Sequence, residues 1–275
     1  MNRILFSKYQ AAGNDFVIID NRDGKYPLES LSALAPCACH RRFGIGADGI
    51  LVIEKSSIPS AVARMRVINA DGSLAQMCGN GLRCVTRWLD EAGLIAGCEA
   101  NIESGGGLQY VRLLHKIDEK YSGWKVEITL PFVRIGEETD LVAMDSLWHV
   151  ATANVGNPHA VIEVTENAQE TMRRIGNSLE HHPWFPEGTN VEVFQRLEEN
   201  AVQVFVHERG VGETLACGTG AVATAAIFAH RYGLRGNNIR IMMPGGELSV
   251  FVPEFGEQGF RLCGDAVKVF EGFFG

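Results

Sequence analysis

The chain has 275 residues, 46% of them hydrophobic, with 31 glycines, nine prolines and a formal net charge of −8. That apolar content supports one sizeable core or two moderate ones, and an acidic pI near 5.5 argues against nucleic acid or an anionic membrane as partner. No apolar run reaches the roughly 18 residues that span a bilayer, and the start Met1-Asn2-Arg3-Ile4 carries no signal-peptide pattern, so a cytoplasmic protein is expected.

In chain order, β-branched and aromatic runs predict strands at 16–20, 49–54, 64–68, 126–130, 160–164, 191–194, 201–207, 239–243 and 248–252. A helix is predicted after Cys78, with Leu82, Val85, Trp88, Leu89 and Ala92 along one side and Gly93 ending it. A second helix, 221–232 with Gly233 after it, is apolar nearly all round through Phe228, the mark of a buried helix. The fold class expected is α+β: two pseudo-symmetric domains, each a curved, mostly antiparallel, barrel-like sheet around a central helix. The boundary is expected near 119–124, giving a first domain over 1–118, a second over 119–266, and a C-terminal segment from about 267 to 275 returning to the first.

Seven cysteines without a disulfide-framework spacing are expected to be reduced. Cys37-Ala38-Cys39-His40 lacks a second ligand pair at a zinc spacing, so no metal is expected there. Cys37, Cys39, Cys84, Cys98 and Cys263 are predicted to be small, half-buried packing residues.

Four segments recur in the same order. Gly13-Asn14-Asp15-Phe16 is matched 143 positions later by Gly156-Asn157-Pro158-His159, and Phe43-Gly44-Ile45-Gly46-Ala47-Asp48 is matched 142 positions later by Phe185-Pro186-Glu187-Gly188-Thr189-Asn190. The alternation Ala63, Met65, Val67 ending at Asn69 recurs 139 positions later as Val202, Val204, Val206 ending at Glu208. Cys78-Gly79-Asn80-Gly81 recurs with that same offset as Cys217-Gly218-Thr219-Gly220. So long a period means duplicated domains rather than a solenoid.

Each Cys-Gly-x-Gly opens a helix. A helix N-terminus carries about half a positive charge and free N–H groups, so it stabilises a thiolate and binds an anion. Two such thiols, facing one another, would make a matched acid and base. Inverting a stereocentre without a cofactor needs that pair, one on each face of the α-carbon. The N–H groups of Gly79, Asn80, Gly218 and Thr219 are candidates to bind a substrate carboxylate and absorb developing charge.

Taken with Asn69-Ala70-Asp71-Gly72-Ser73, Glu208-Arg209-Gly210-Val211-Gly212-Glu213-Thr214, Pro244-Gly245-Gly246 and Glu271-Gly272-Phe273, these motifs resemble the diaminopimelate epimerase family over nearly the whole chain. The resemblance implies cofactor-free interconversion of LL- and meso-diaminopimelate, with Cys78 and Cys217 catalytic and with a homodimeric assembly. It implies that His159 and Glu208 tune a catalytic thiol. It also implies that Asn14, Asn69, Asn157, Asn190, Glu208 and Arg209 bind substrate. Asparagine offers donor and acceptor to a zwitterion, and Arg209 can clamp a distal carboxylate bidentately. Gly49 stands where some members carry a ligand-contacting glutamine, and Leu74 where an acidic residue is common. A proline-racemase-like enzyme shares the two-thiol chemistry but has no need of Arg209 and the asparagines. An acid–base isomerase of the same fold would lack the paired cysteines. A thiol-redox or metal-binding protein predicts Cys-x-x-Cys or clustered ligands, a pattern Cys78 and Cys217 do not fit.

Overall fold

The computed structural model describes residues 3–118, 123–130, 133–254 and 259–275. Its contacts divide the chain into two units, Met1–Ile128 with Gly264–Gly275, and Thr129–Cys263. The sequence places the boundary earlier, near 119–124, of which 119–122 lie outside the described residues.

The first unit contains β1 (Ile4–Ala11), β2 (Asn14–Asp20), α1 (Leu28–Ala38), β3 (Gly49–Glu54), β4 (Ala63–Asn69), β5 (Leu74–Ala75), α2 (Gly79–Glu91), β6 (Glu99–Ser104), β7 (Gly107–Asp118) and β8 (Gly123–Leu130). Strand pairing runs β1–β2–β3–β4–β6–β7–β8, antiparallel except for β2–β3 and β4–β6. The last strand, β17 (Phe260–Phe274), pairs with β1 from Val267 to Phe274.

The second unit repeats this order. It contains β9 (Arg134–Ala143), β10 (Ser146–Asn154), β11 (Pro158–Val164), α3 (Ala168–Glu180), β12 (Asn190–Glu198), β13 (Ala201–Glu208), β14 (Gly212–Thr214), α4 (Gly218–Tyr232), β15 (Asn238–Met243) and β16 (Gly246–Phe251). Pairing runs β9–β10–β11–β12–β13–β15–β16, ending on the start of β17. Its parallel pairs, β11–β12 and β13–β15, occupy the places of β2–β3 and β4–β6.

Parallel neighbours need a crossover, usually helical, and each unit supplies two. The first crossover helix, α1 or α3, covers one sheet face. Leu31, Ala35 and Ala38 pack on Val17, Ile19, Ile50 and Val52. In the second unit Met172, Ile175 and Leu179 pack on Ala160, Ile162, Val191 and Val193. These two helices are absent from the sequence prediction. The opposite faces carry α2 and α4. The curved sheet bends around α4, which touches β9 to β13, β15 and β16. A helix so enclosed has no wet face, and Ala221 to Ala229 are all buried. In α2 the buried set includes two cations: Arg83, and Arg87, which pairs with Asp90 at 2.7 Å and Glu91 at 2.6 Å. Gly93 and Gly233 follow these helices at φ of 69° and 67°, the left-handed conformation that releases the chain.

None of the seven cysteines is in a disulfide. Of the five cysteines expected to be half-buried Cys263 is so, whereas Cys39 and Cys84 are buried outright and Cys37 and Cys98 are exposed, lying off the apolar faces of their segments. Among the described residues no three His, Cys, Asp or Glu side chains converge to hold a metal, and no helix is long and apolar enough to cross a membrane.

Gly44 follows α1 so closely that a β-carbon there would meet the carbonyls of Cys37 and, at 2.6 Å, Ala38. Backbone cannot yield as a side chain can, so Gly44→Ala is expected to cost roughly 2–3 kcal/mol, the upper range for overpacking. Gly93→Ala, at φ +69° but in open space, should cost about 1–2 kcal/mol of strain. Denaturant melts of both variants check the order, and equal losses would contradict it.

Candidate active site

In the first unit Cys78 is the N-cap of α2, with extended backbone (φ −143°, ψ 115°), and its Sγ accepts the Gly81 N–H at 3.3 Å. Cysteine is not a favoured capping residue, so helix stability does not account for it. The Cys78 thiol donates toward Asn14 Oδ1 at 3.9 Å, and Asn80 Nδ2 donates to the same oxygen at 3.2 Å. Asn80 is held by buried Arg83, whose Nη2 donates to its Oδ1 at 2.8 Å. Asn14 Nδ2 donates to Asp48 Oδ2 at 2.7 Å. Arg41 bridges Asp48 and Asp15, and Lys8 pairs with Asp15 at 2.6 Å. Burial pushes the Asp15 carboxyl up, but hydrogen bonds from Arg41 and Lys8 prevail and hold it at about 2. Asn69, at the end of β4, is exposed and donates to Ser73 Oγ at 2.9 Å, its amide engaged in the local turn.

In the second unit Cys217 caps α4 in the same conformation (φ −123°, ψ 118°), accepting the Gly220 N–H at 3.4 Å. Thr219 Oγ1 lies 3.4 Å from the sulfur, and Asn157 Nδ2 donates to that hydroxyl at 3.4 Å. Asn157 Oδ1 is 3.0 Å from His159 Nε2, and His159 Nδ1 is 2.8 Å from Glu192 Oε1. Glu208 accepts from Thr214 Oγ1 at 2.6 Å and from the Cys217 thiol. Asn190 is a strut: its Nδ2 donates to Pro158 O at 2.9 Å and its Oδ1 accepts the Arg209 N–H at 3.1 Å. Arg209 is exposed and donates once to Glu187 O at 3.1 Å. Its loop is pinned by buried Glu180, which accepts the Gly210 N–H at 2.7 Å and faces His207 Nε2 at 2.8 Å.

The structure therefore joins Asn14, Cys78 and Asn80 in one cluster, and Asn157, His159, Glu208, Cys217 and Thr219 in another. The sequence reading passed over Glu192, Asp48, Arg83 and Glu180. Glu192 had a signal: it is an acid inside the run Val191-Glu192-Val193-Phe194, which is buried throughout. The glycines also sort differently. A β-carbon on Gly79 would sit 3.4 Å from Ile128 Cδ1, an ordinary contact, and on Gly218 3.1 Å from Leu262. The tighter positions are the second glycines, at 2.9 Å from Leu51 for Gly81 and 2.5 Å from Glu192 for Gly220.

Burial pushes the Cys217 thiol well above its ordinary value, and the charges of Glu208 and Glu192 add to this, against hydrogen bonds from Thr219 and Gly220. Burial also raises Glu208, with hydrogen bonds from Thr214 and Cys217 opposing. Replacing the Glu208 carboxylate by an amide removes one repulsion and weakens one thiol acceptor, and both changes make Cys217 more acidic. Glu208→Gln should therefore speed alkylation of Cys217 at fixed pH and lower its midpoint, read by mass spectrometry of the labelled peptide. A slower or unchanged rate would show that Glu208 does not govern this thiol.

The diaminopimelate epimerase family model matches residues 6–124 and 151–269. Curated relatives named diaminopimelate epimerase include one from Xylella fastidiosa, 40% identical over 97% of this chain and 95% of its own. Others come from Synechococcus elongatus, 38% identical over 97% and 96%, and Moorella thermoacetica, 36% identical over 98% of both. Among solved structures, a PhzF-family phenazine biosynthesis protein of Bacillus anthracis superposes with a TM-score of 0.78 at 15% identity, covering 100% and 99%. A probable proline racemase from Agrobacterium radiobacter gives 0.71 at 15%, covering 99% and 93%. The structural likenesses establish the fold, and the sequence matches over nearly the full length establish that the chain belongs to the diaminopimelate epimerase family.

Proposed function

We propose that this enzyme interconverts LL- and meso-diaminopimelate by a cofactor-independent two-base mechanism in which Cys78 and Cys217 act on opposite faces of one α-carbon. One observation carries this reading: in a chain of this family, equivalent N-caps of two buried helices both bear a thiol where helix stability favours serine, threonine or aspartate. A thiolate removes the α-proton, the carbanion forms, and the opposite thiol delivers a proton to the other face. The reverse reaction exchanges their roles. The N–H groups of Gly79, Asn80, Gly218 and Thr219 lie in first helical turns, where the helix itself supplies no acceptor, so they suit the α-carboxylate and the charge spreading into it.

Burial and two nearby carboxylates oppose ionisation of Cys217, which suits it to the proton-donating role. Asn14, Asn69 and Asn157 are assigned to the zwitterionic ends of the substrate, and Arg209 to the distal carboxylate. Asn190 acts chiefly by holding Arg209 in place. Glu208 and His159 set the proton affinity of Cys217. The enzyme is assigned to the cytoplasm, where seven reduced cysteines persist. It is assigned a homodimeric assembly, supported by exposed Leu5 and its strand partner Phe273, 58% and 65% accessible.

In deuterium oxide, proton NMR should show α-deuteration of LL-diaminopimelate and approach to the meso form, without added metal or pyridoxal phosphate. Cys78→Ala and Cys217→Ala should each lower kcat/KM by at least about 10²-fold, the low end for general acid–base catalysis. Cys98→Ala serves as the unaffected control. Near-normal turnover by either active-site variant would refute the two-base scheme, and activity lost to chelator and restored by zinc would refute its cofactor independence.

A further inference from the structure

The two units present the same backbone beneath their capping thiols but different side chains. Parallel register pairs Phe16 with Gly49 and Ile18 with Leu51 in the first unit, and His159 with Asn190 and Val161 with Glu192 in the second. Val17, Ile50, Ala160 and Val191 point to the α1 or α3 side. Strand alternation therefore turns Phe16, Leu51, His159 and Glu192 toward α2 or α4. Leu51 approaches Gly81 as Glu192 approaches Gly220. The first unit thus packs Phe16 and Leu51 where the second buries His159 and Glu192, whose side chains are 0% exposed.

A buried ion pair is weak support for stability, and apolar residues of similar size commonly serve as well. The first unit builds the same architecture without one, so the pair is not a requirement of the fold. It stands instead at the head of a chain of hydrogen bonds. Glu192 Oε1, as a carboxylate, accepts from His159 Nδ1, and Asn157 Oδ1 accepts from Nε2, so the imidazole donates from both nitrogens. Asn157 Nδ2 then donates to Thr219 Oγ1, which leaves the hydroxyl proton of Thr219 for Cys217 Sγ.

We infer that Glu192 is a positioning residue for Cys217: as buried counter-ion of His159 it fixes the direction of this chain, so that Thr219 donates to the sulfur. With a neutral imidazole Nε2 can instead accept, Asn157 can turn over, and the Thr219 proton is drawn away from the thiol. The charged groups around this thiol are His159 on β11, Glu192 on β12 and Glu208 on β13. Glu192 Oε2 has no hydrogen-bond partner among the described residues, so the hydrogen bond that orients this carboxylate is the one from His159. The inference rests on the proposed role of Cys217 for its catalytic consequence, but not for its effect on the thiol.

The test compares His159→Phe, Glu192→Leu and the double variant, which copies the apolar pair of the first unit and guards against misfolding from a stranded imidazole. Each single change should lower kcat/KM at least about tenfold, within the coupling shown by groups of one network, and the double should lose no more than either single. Thr219→Val should raise the pH midpoint for alkylation of Cys217 in the wild-type chain, because the thiolate loses a donor, but should leave it unmoved in the double variant, where that donor has already turned away. Additive losses, or the same Thr219→Val shift in the wild-type and the folded double-variant backgrounds, would overturn the inference. If the wild-type enzyme fails to deuterate diaminopimelate while the Cys217 midpoint shifts as expected, the substrate assignment falls and this one stands.

Discussion

A helix wrapped by a sheet can meet solvent only at its ends, and this constraint governs the molecule. In each unit the sheet covers the sides of the central helix, so its N-terminus is where backbone N–H groups and their partial positive charge remain available for chemistry. A cysteine at that N-cap spends its sulfur on the N–H of the third helical residue, at 3.3 Å for Cys78 and 3.4 Å for Cys217. The sulfur is thereby oriented before any substrate arrives. The second glycine of each Cys-Gly-x-Gly follows from the same closeness, since the β3 or β12 side chain beneath the first turn leaves no room for a β-carbon.

Duplication gives the two thiols one geometry, and side chains then divide their labour. The proposed two-base mechanism needs one sulfur charged and the other protonated, which a perfectly symmetric site would not specify. Here Cys78 faces Asn14, which Asn80 holds in turn, whereas Cys217 lies near Glu208 and Glu192 with His159 behind them. The asymmetry resides in a few positions: Phe16 against His159, Leu51 against Glu192, and Asn69 against Glu208. Their backbones follow equivalent registers, so the electrostatics change while the frame does not.

Support reaches further out than the groups nearest the sulfurs. Asp48 holds Asn14 and is itself held by Arg41, while Glu180 and Asn190 between them pin the loop that carries Arg209. Such residues orient side chains that, in the proposed complex, would otherwise lose orientational entropy on binding. Among the described residues the Arg209 guanidinium donates to Glu187 O alone, an arrangement that suits the proposed carboxylate contact.

The α+β class, the duplication and the two thiol-capped helices were legible in the sequence because they depend on local pattern: strand runs, helix periodicity, glycine stops and a repeated motif. The strands predicted at 49–54 and 239–243 match β3 and β15 to within one residue. Longer strands such as β7, β9 and β17 were missed, since their charged outer faces dilute the alternation and only pairing holds them extended. Helix α3 carried a readable stripe of Ala168, Met172, Ile175 and Leu179, yet its need arises from the parallel pair it connects, which local sequence does not announce. The His159–Glu192 pair likewise belongs to the tertiary structure alone. The two residues are 33 positions apart, and only parallel register, together with a helix packed over both, brings their side chains within 2.8 Å in a place water does not reach. Residue types settle which chemistry is available, but burial and neighbouring charge settle which proton affinity each group has, and those are properties of the folded chain.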